Sequence, residues 1–563
     1  MSSNTLIVQD YLSSLKEDSE LDYIFPLLLQ SLKFRVVQTA KEAKGQSQYG
    51  KDIIAIGKDK TGQKYRWYFE LKGYDDKDIT DKNFFKRDGI RESIIEARDT
   101  AFSDTSIPGF NELPIKIVLV HNGTLKPNIK PTFEGLIERE FKEGEFERWD
   151  IYHLTELFSE YLFNEYLLSD AESNRLLKKT LAFLDTPDYD YKEFKKLIVI
   201  QFDKIDRVKG RALAKLFATL GILQTLVFHY SKENNNIIPA KECSKFLVLQ
   251  TWSWILKNNL ENKPSIIKEF KKLLKIQFEI FNCYFRKTFS IAKLPDGLFS
   301  EKGAFFETVG YPLRCFDYLD DVIYFSRLRI IFSKEKNHIF ILNKQKDLII
   351  ELIQNNSGFY RPILDNHSIP IIQLFLFFAD EKSRRQRDVN FITEVIFGCL
   401  GSIIDEKRKY NRLPELYNNM EKVVEFFALN KKPEGYTDSS SILLAVILEL
   451  LVIFNSEESF QVFHKFLAKD LNLQIASIDF NEFDVEQLLF EKYLYDEYFV
   501  DSIHELTQDF EEFKKDRYSK VMSPFQYRTD KTGLSCIRYL AHSYYKNEIL
   551  PEEWRQFFKV KEN

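Results

Sequence analysis

The chain has 563 residues, 44% of them hydrophobic and 29% charged, a balance that excludes a disordered protein and by length points to about three to four domains, or two if one is large. The net charge of −5 lends no support to nucleic-acid binding, which draws on positive charge at the phosphates, yet it leaves room for a locally basic cleft. Five cysteines, Cys243, Cys283, Cys315, Cys399 and Cys536, form no CxxC pair, which argues against a zinc site or disulfide framework and fits a reducing cytosol.

The heavy aromatic content, 51 Phe and 28 Tyr against 20 Gly and 16 Pro, favours long packed helices over loop-rich structure. The first residues lack a basic stretch followed by an apolar core, so a secretory signal is not expected and the reading is cytoplasmic. The most apolar stretch, 442–454, is interrupted by Glu449 and is too short for a bilayer, so a buried helix and no membrane are expected.

In chain order, Leu21, Ile24, Phe25, Leu28, Leu29 and Leu32 mark one face of a helix with Pro26 in its first turn. FRVV at 34–37 reads as a strand. A polar loop leads to a second strand, DIIAI from Asp52. After the turn KDKTGQ comes a third, 64–74, antiparallel to the second. Helical spacing follows over 83–102, then a buried strand from Ile115, a helix over 131–141, a short strand WDIY at 149–152 and a closing helix at 154–168. The expected order is α-β-β-β-α-β-α-β-α.

Beyond about residue 170 the period is helical, over 210–229, 240–258, 266–285, 371–380, 390–405, 413–429, 440–455 and 460–471. HIFIL at 338–342 reads as a further strand, and 290–312 as a long loop. The expected organisation is an α/β domain at 1–168, a mixed sheet flanked by helices, followed by a mainly helical region at 169–563 with an optional division near 290–315.

One constellation carries chemistry: Asp52 at the start of a strand, then Glu70-Leu71-Lys72 on the next. Hydrolysis of a phosphodiester needs a hard divalent cation held by carboxylates, and an ammonium can stabilise developing charge or orient water. Strand alternation points Glu70 and Lys72 the same way, with Trp67, Phe69 and Leu71 on the other face. A hairpin brings Asp52 beside Glu70. The ExK tripeptide alone is a weak signal, since it recurs at Glu42, Glu140, Glu193, Glu269 and Glu512. Most of those copies lie in helical patterns, where residues two apart do not face each other. Without the cation, Glu70 and Lys72 read as a solvated strand face and Asp52 as a turn residue.

The Asp, the ExK on the following strand and the α-β-β-β-α-β order together resemble the PD-(D/E)XK (restriction-endonuclease-like) nucleases, in particular the Mrr-like and anti-phage branch. The resemblance covers roughly residues 15 to 165. It implies catalytic roles for Asp52, Glu70 and Lys72, and metal ligation of Mg²⁺ or Mn²⁺ by Asp52, Glu70 and the Leu71 carbonyl. Glu20 would be a further acidic ligand from the first helix, with Asp22 second. Gln48 and Lys51, just before and within the Asp motif, are candidates for contact with nucleic acid, as are Arg384, Arg385 and Arg387 in the basic run KSRRQR. Arg207, Lys209, Arg211 and Lys215 form a second basic cluster, for which a solvated face is the plain alternative. His121 ends a buried strand, and an ordinary strand-end histidine is the expected role.

The implied function is a metal-dependent endodeoxyribonuclease acting on DNA, an effector of bacterial defence regulated by its helical region or by a partner such as an ATPase or sensor, or by homo-oligomerisation. The chain has no P-loop of its own. The rivals are an RNA-cleaving nuclease and an inactive nuclease-fold scaffold.

Overall fold

The computed structural model describes residues 3–39, 50–162, 168–205, 208–299, 306–333, 337–380, 383, 385–467, 472–477, 484–494, 499–503, 509–521 and 526–558. They form two compact units, Met1–Leu247 and Val248–Asn563.

Unit 1 opens with α1 (Ser3–Leu12) and α2 (Asp22–Ser31), then β1 (Arg35–Gln38), β2 (Ile53–Lys58) and β3 (Lys64–Lys72). The helices α3 (Asp81–Phe85) and α4 (Ile90–Asp99) lead to β4 (Ile115–His121). Next come α5 (Lys130–Glu140), β5 (Phe146–Trp149) and α6 (Ile151–Tyr161). The five strands lie in chain order in one mixed sheet: β2 pairs antiparallel with β1 on one side and with β3 on the other, and β4 and β5 add in parallel.

The β2–β3 hairpin is set by its turn. The Asp59 carboxylate accepts from the N–H groups of Thr61 and Gln63, and Gly62 takes a positive φ of 87° that a side chain would resist. The strands bury opposite faces. Phe69 meets Phe25 of α2 with ring centroids 5.2 Å apart, and Trp67 meets Phe34 at 5.1 Å. The other face packs Ile54, Ile56, Tyr68 and Ile117 against Ala97 of α4 and Phe110.

Several expectations shift. The helical pattern over 83–102 divides into α3 and α4, with the extended Lys86 and Gly89 between them. The fifth strand ends at Trp149 instead of starting there. Asp150 is the reason: its carboxylate accepts from the N–H groups of Tyr152 and His153 and so starts α6, making helix of the residues read as strand. Unit 1 also continues past 168. It includes α7 (Ala171–Ala182), α8 (Lys192–Asp203) and α9 (Gly210–Glu233), because α9 packs on both α8 and α1. By length and hydropathy α9 is the one described helix that would suffice to cross a membrane; the helix at Ile442–Ile453 is apolar but shorter. The apolar side chains of α9, from Leu216 to Phe228, are buried within the unit.

α10 (Ile238–Lys257) carries the division between the units. Unit 2 then holds α11 (Pro264–Ala292), α12 (Tyr311–Phe332), α13 (His338–Gln354), α14 (Ser368–Phe378), α15 (Gln386–Tyr410) and α16 (Met420–Leu429). It continues through the two-residue β6 (Ser440–Ser441), α17 (Ile442–Ile453), α18 (Glu457–Leu467), β7 (Asn472–Ser477), α19 (Val485–Leu489), β8 (Phe499–Ile503) and α20 (Phe510–Ser519). The last helices are α21 (Arg528–Lys531), α22 (Ser535–Tyr545) and α23 (Glu552–Arg555).

HIFIL is helix, not strand: the Asn337 side chain caps the Phe340 N–H and opens α13. The described residues on either side of the optional division near 290–315 fall in one compact unit, where α11 and α12 pack on one another. Of the stretch 413–429, only Met420–Leu429 is helical. A small sheet not foreseen from sequence pairs β6 with β7 in parallel and β7 with β8 antiparallel. Glu449, which interrupts the apolar stretch, is fully buried in α17 and paired: it accepts from Trp554 Nε1 at 2.9 Å and from Arg555 Nη2 at 3.0 Å.

Candidate active site

Alternation along β3 places Tyr68, Glu70 and Lys72 on one face and Trp67, Phe69 and Leu71 on the other. Asp52 lies one residue before β2. Its N–H donates to the Phe69 carbonyl at 2.9 Å, and its Oδ2 accepts from the Leu71 N–H at 2.7 Å. These two bonds straddle Glu70, so both carboxylates meet at the same end of the sheet. Lys72 Nζ stands 2.8 Å from Glu70 Oε1. Asp52 and Glu70 are both buried, at 9% and 4% exposure.

This crowding shows in the protonation equilibria. Burial pushes the Asp52 carboxyl well above its ordinary range, and the Glu70 charge pushes it further; Lys72 only partly opposes this. Burial alone would lower Lys72, but Glu70, Glu17 and Asp52 outweigh it and hold the ammonium firmly charged. Lys51 is buried as well, its Nζ 5.4 Å from the centre of the Tyr68 ring. Burial lowers its pKa to about 8, against the pull of Glu96 and Glu70.

Glu17 completes the cluster. Its Oε1 lies 3.4 Å from Lys72 Nζ, and burial raises its carboxyl, with Lys72 opposing and Glu70 adding to the rise. Sequence reasoning missed it. Two features bring it there. Tyr74 N–H donates to the Leu15 carbonyl at 2.8 Å, and Asn122 Nδ2 donates to the Leu12 and Leu15 carbonyls at 2.7 and 2.8 Å. Gly73, directly after the ExK, supplies the clearance: a Cβ there would sit 1.9 Å from the Glu17 nitrogen. Gly73→Ala must therefore displace the 16–17 backbone, and a loss of about 1–3 kcal/mol in urea unfolding is expected. An unchanged midpoint would mean that this segment does not rest against β3.

The remaining candidates have partners of their own. Glu20 binds Arg211 Nη2 and, at 2.8 Å, Lys215 Nζ, and its Oε2 accepts from the Lys16 N–H. Those cations come from α9, far along the chain, and they engage Glu20, the residue expected as a metal ligand beside Asp52. Asp22, the second choice, begins α2 with its carboxyl raised by burial. Lys51, expected to contact nucleic acid, is an interior neighbour of Glu70 rather than a surface cation. In unit 2, Arg385 Nη2 is held by Asp388 at 2.7 Å and Asp347 at 2.8 Å, and Arg387 reaches Asp347 at 3.4 Å. Gln48 and Arg384 lie outside the described residues. His121 ends β4 with both ring nitrogens engaged: Nδ1 donates to the Lys77 carbonyl at 2.9 Å, and Nε2 accepts from Arg148 Nη1 at 3.1 Å. Burial lowers its pKa to about 4, which keeps the ring neutral.

Among the described residues, no group of three or more His, Cys, Asp or Glu side chains is placed to hold a metal ion. Mg²⁺, however, is typically bound through one or two carboxylates, with water and substrate phosphate completing its shell. Asp52 and Glu70 offer that oxygen-only set, and their mutual repulsion is what a cation relieves. The residues therefore fit Mg²⁺ or Mn²⁺. A cavity of about 590 Å³ next to Glu17 and Gly73 is lined by Asp18, Glu20, Asp75 and Asp76 together with Lys16, a mainly acidic set.

Compared with known proteins, the chain matches no family model, no curated protein and no solved structure.

Proposed function

We propose that unit 1 is a divalent-metal-dependent endonuclease domain of the PD-(D/E)XK type, acting on DNA, and that the helical unit 2 or a partner protein regulates it. The observation that carries this reading is the convergence of Asp52, Glu70 and Lys72 at one sheet end. Asp52 and Glu70 would hold Mg²⁺ or Mn²⁺, with the Leu71 carbonyl as a further donor. When bound, the cation supplies polarisation of the scissile phosphate and a water of lowered pKa.

The protein's own part follows from charge and position. Lys72 is kept protonated by three carboxylates, so it acts as a fixed positive charge facing a phosphate oxygen or orienting the attacking water, and not as a proton acceptor. The mainly acidic cavity next to Glu17 would repel an unscreened phosphate backbone, so an approach from that side would depend on cations as much as the chemistry does. Such gating suits an enzyme that must stay silent until triggered, and a bacterial defence effector is the setting proposed by analogy with the nuclease branch it resembles.

The test offers the purified full-length chain labelled DNA and RNA duplexes side by side, with Mg²⁺, with Mn²⁺ and with a chelator. DNA cleavage confined to the divalent conditions is expected. Preference for RNA would refute the substrate assignment, and cleavage that survives chelation would refute the metal.

A further inference from the structure

Unit 1 contains a second cleft that the proposed nuclease chemistry does not use. Its volume is about 550 Å³, within the range of small-molecule sites, and it lies where α1, α8 and α9 meet. Three cations line it, Lys204, Arg211 and Lys215, against two carboxylates, Glu20 and Asp170, leaving one positive charge in excess.

The 24-residue helix α9 starts at this cleft, with Arg211 and Lys215 in its first turns. Lys209 gives its opening N–H groups no side-chain cap, so the positive end of the helix dipole adds to the field. Independently, Tyr11 of α1 lines the cleft at 1% exposure. Its hydroxyl lies beside Ser169, yet no hydrogen bond of good geometry satisfies it. A buried hydroxyl without a partner costs free energy that a bound ligand would recover.

The cluster already holds one anion, the Glu20 carboxylate, which takes Arg211 Nη2 and Lys215 Nζ together. Lys204 is shared between Asp170 Oδ2 and Ser173 Oγ, each at 2.9 Å. Arg211 is steadied from behind by its Nε donating to the Ser14 carbonyl at 2.9 Å. A guanidinium anchored in this way and paired with an ammonium one helical turn on is suited to a tetrahedral phosphate.

We propose that this cleft binds a phosphate-bearing ligand of nucleotide size, whose phosphate competes with Glu20 for Arg211 and Lys215 and takes a hydrogen bond from the Tyr11 hydroxyl. Glu20 is three residues from Glu17, and its Oε2 also accepts from the Lys16 N–H. Displacing it loosens the segment that brings Glu17 to Lys72. Occupancy of the cleft is thus coupled to the cluster on β3.

Binding is read without cleavage, so the experiment stands apart from the nuclease assignment. The full-length chain is titrated calorimetrically with inorganic pyrophosphate, with ATP, and with a single-stranded oligonucleotide lacking terminal phosphates. The buffer contains chelator, to keep divalent cations from the β3 site. Saturable binding of pyrophosphate and tighter binding of ATP are expected. Tyr11→Phe, which removes only the hydroxyl, and Arg211→Gln should each weaken ATP by about tenfold or more, the loss typical of one hydrogen bond to a charged group. Glu20→Gln removes the competitor and should tighten it. Absence of pyrophosphate and ATP binding, binding insensitive to all three changes, binding of the oligonucleotide alone, or a Glu20→Gln loss equal to that of Arg211→Gln would each overturn the proposal; the last would mark a purely structural ion-pair cluster.

Discussion

Asp52→Asn should abolish divalent-dependent cleavage while raising the thermal midpoint of the metal-free protein at neutral pH. Burial and the Glu70 charge hold the Asp52 carboxyl well above its ordinary range. A carboxyl raised on folding contributes stability that is complete below its unfolded pKa and disappears as pH rises through its folded one. Ionised Asp52 is therefore a burden on the fold that a neutral amide removes, and the Asn side-chain oxygen can still accept from the Leu71 N–H. The gain should grow with pH and amount to a few degrees. Lys72→Ala should also abolish cleavage, but with the opposite effect on stability. It strips the ammonium from a buried site and leaves Glu70, Asp52 and Glu17 without their counter-charge, at a cost on the order of 3 kcal/mol. For each variant the fall in cleavage rate should reach at least about a hundredfold. Loss of activity joined to opposite shifts in stability is the signature of a site built for a cation. Equal destabilisation by both substitutions, with cleavage retained, would reduce the cluster to a structural ion pair.

The part of this site that was legible in the sequence is the part that local geometry determines. Alternation along Lys64–Lys72 separates Trp67 and Phe69 from Glu70 and Lys72 whatever else the chain does, and a tight turn at Asp59 and Gly62 fixes which residues of β2 face them. Glu17 was not legible because nothing near it specifies its place. It sits in a kinked segment where Ser19 takes a φ of 65°, held by Tyr74, Asn122 and the clearance at Gly73. Glu20 looked the better ligand because the cations that claim it lie some 190 residues along the chain. The same division explains the rest. HIFIL and WDIY are short apolar runs that suit strand or helix, and single side-chain caps at Asn337 and Asp150 decide between them. The β6–β7–β8 sheet depends on pairing between distant segments, for which periodicity carries no information.

Unit 2 should lose stability as pH rises from 6.5 to 8.5, the reverse of the usual expectation for a protein of paired surface carboxylates. Three buried carboxyls are responsible, Asp365 and Glu548 foremost. Asp365 stands at the start of α17, where Oδ1 accepts from Ser441 Oγ at 2.6 Å and Oδ2 from the Ile442 N–H at 2.8 Å. Glu548 Oε2 accepts from Ser368 Oγ at 2.6 Å. Burial raises Asp365 to about 7, with the hydrogen bonds opposing and Glu415 adding to the rise. Burial raises Glu548 to about 8, helped by the Asp365 charge and opposed by Ser368 and Lys546. Each retains a proton in the fold that the unfolded chain has already released, so the folded state is penalised as pH rises, by up to about 1.4 kcal/mol per pH unit for each proton. Glu552, raised by burial to about 7, acts in the same direction. His367 and His542 act in the opposite direction, since burial keeps both rings neutral, but that contribution is complete above the ordinary histidine pKa of 6.5 and operates only below it. The interval above pH 6.5 therefore isolates the carboxyls. Urea midpoints measured across it should fall for the parent chain and flatten for Asp365→Asn and for Glu548→Gln, each of which preserves a side-chain acceptor while removing the proton. A parent midpoint that stays level or climbs over that interval would mean the pair is ionised in the fold.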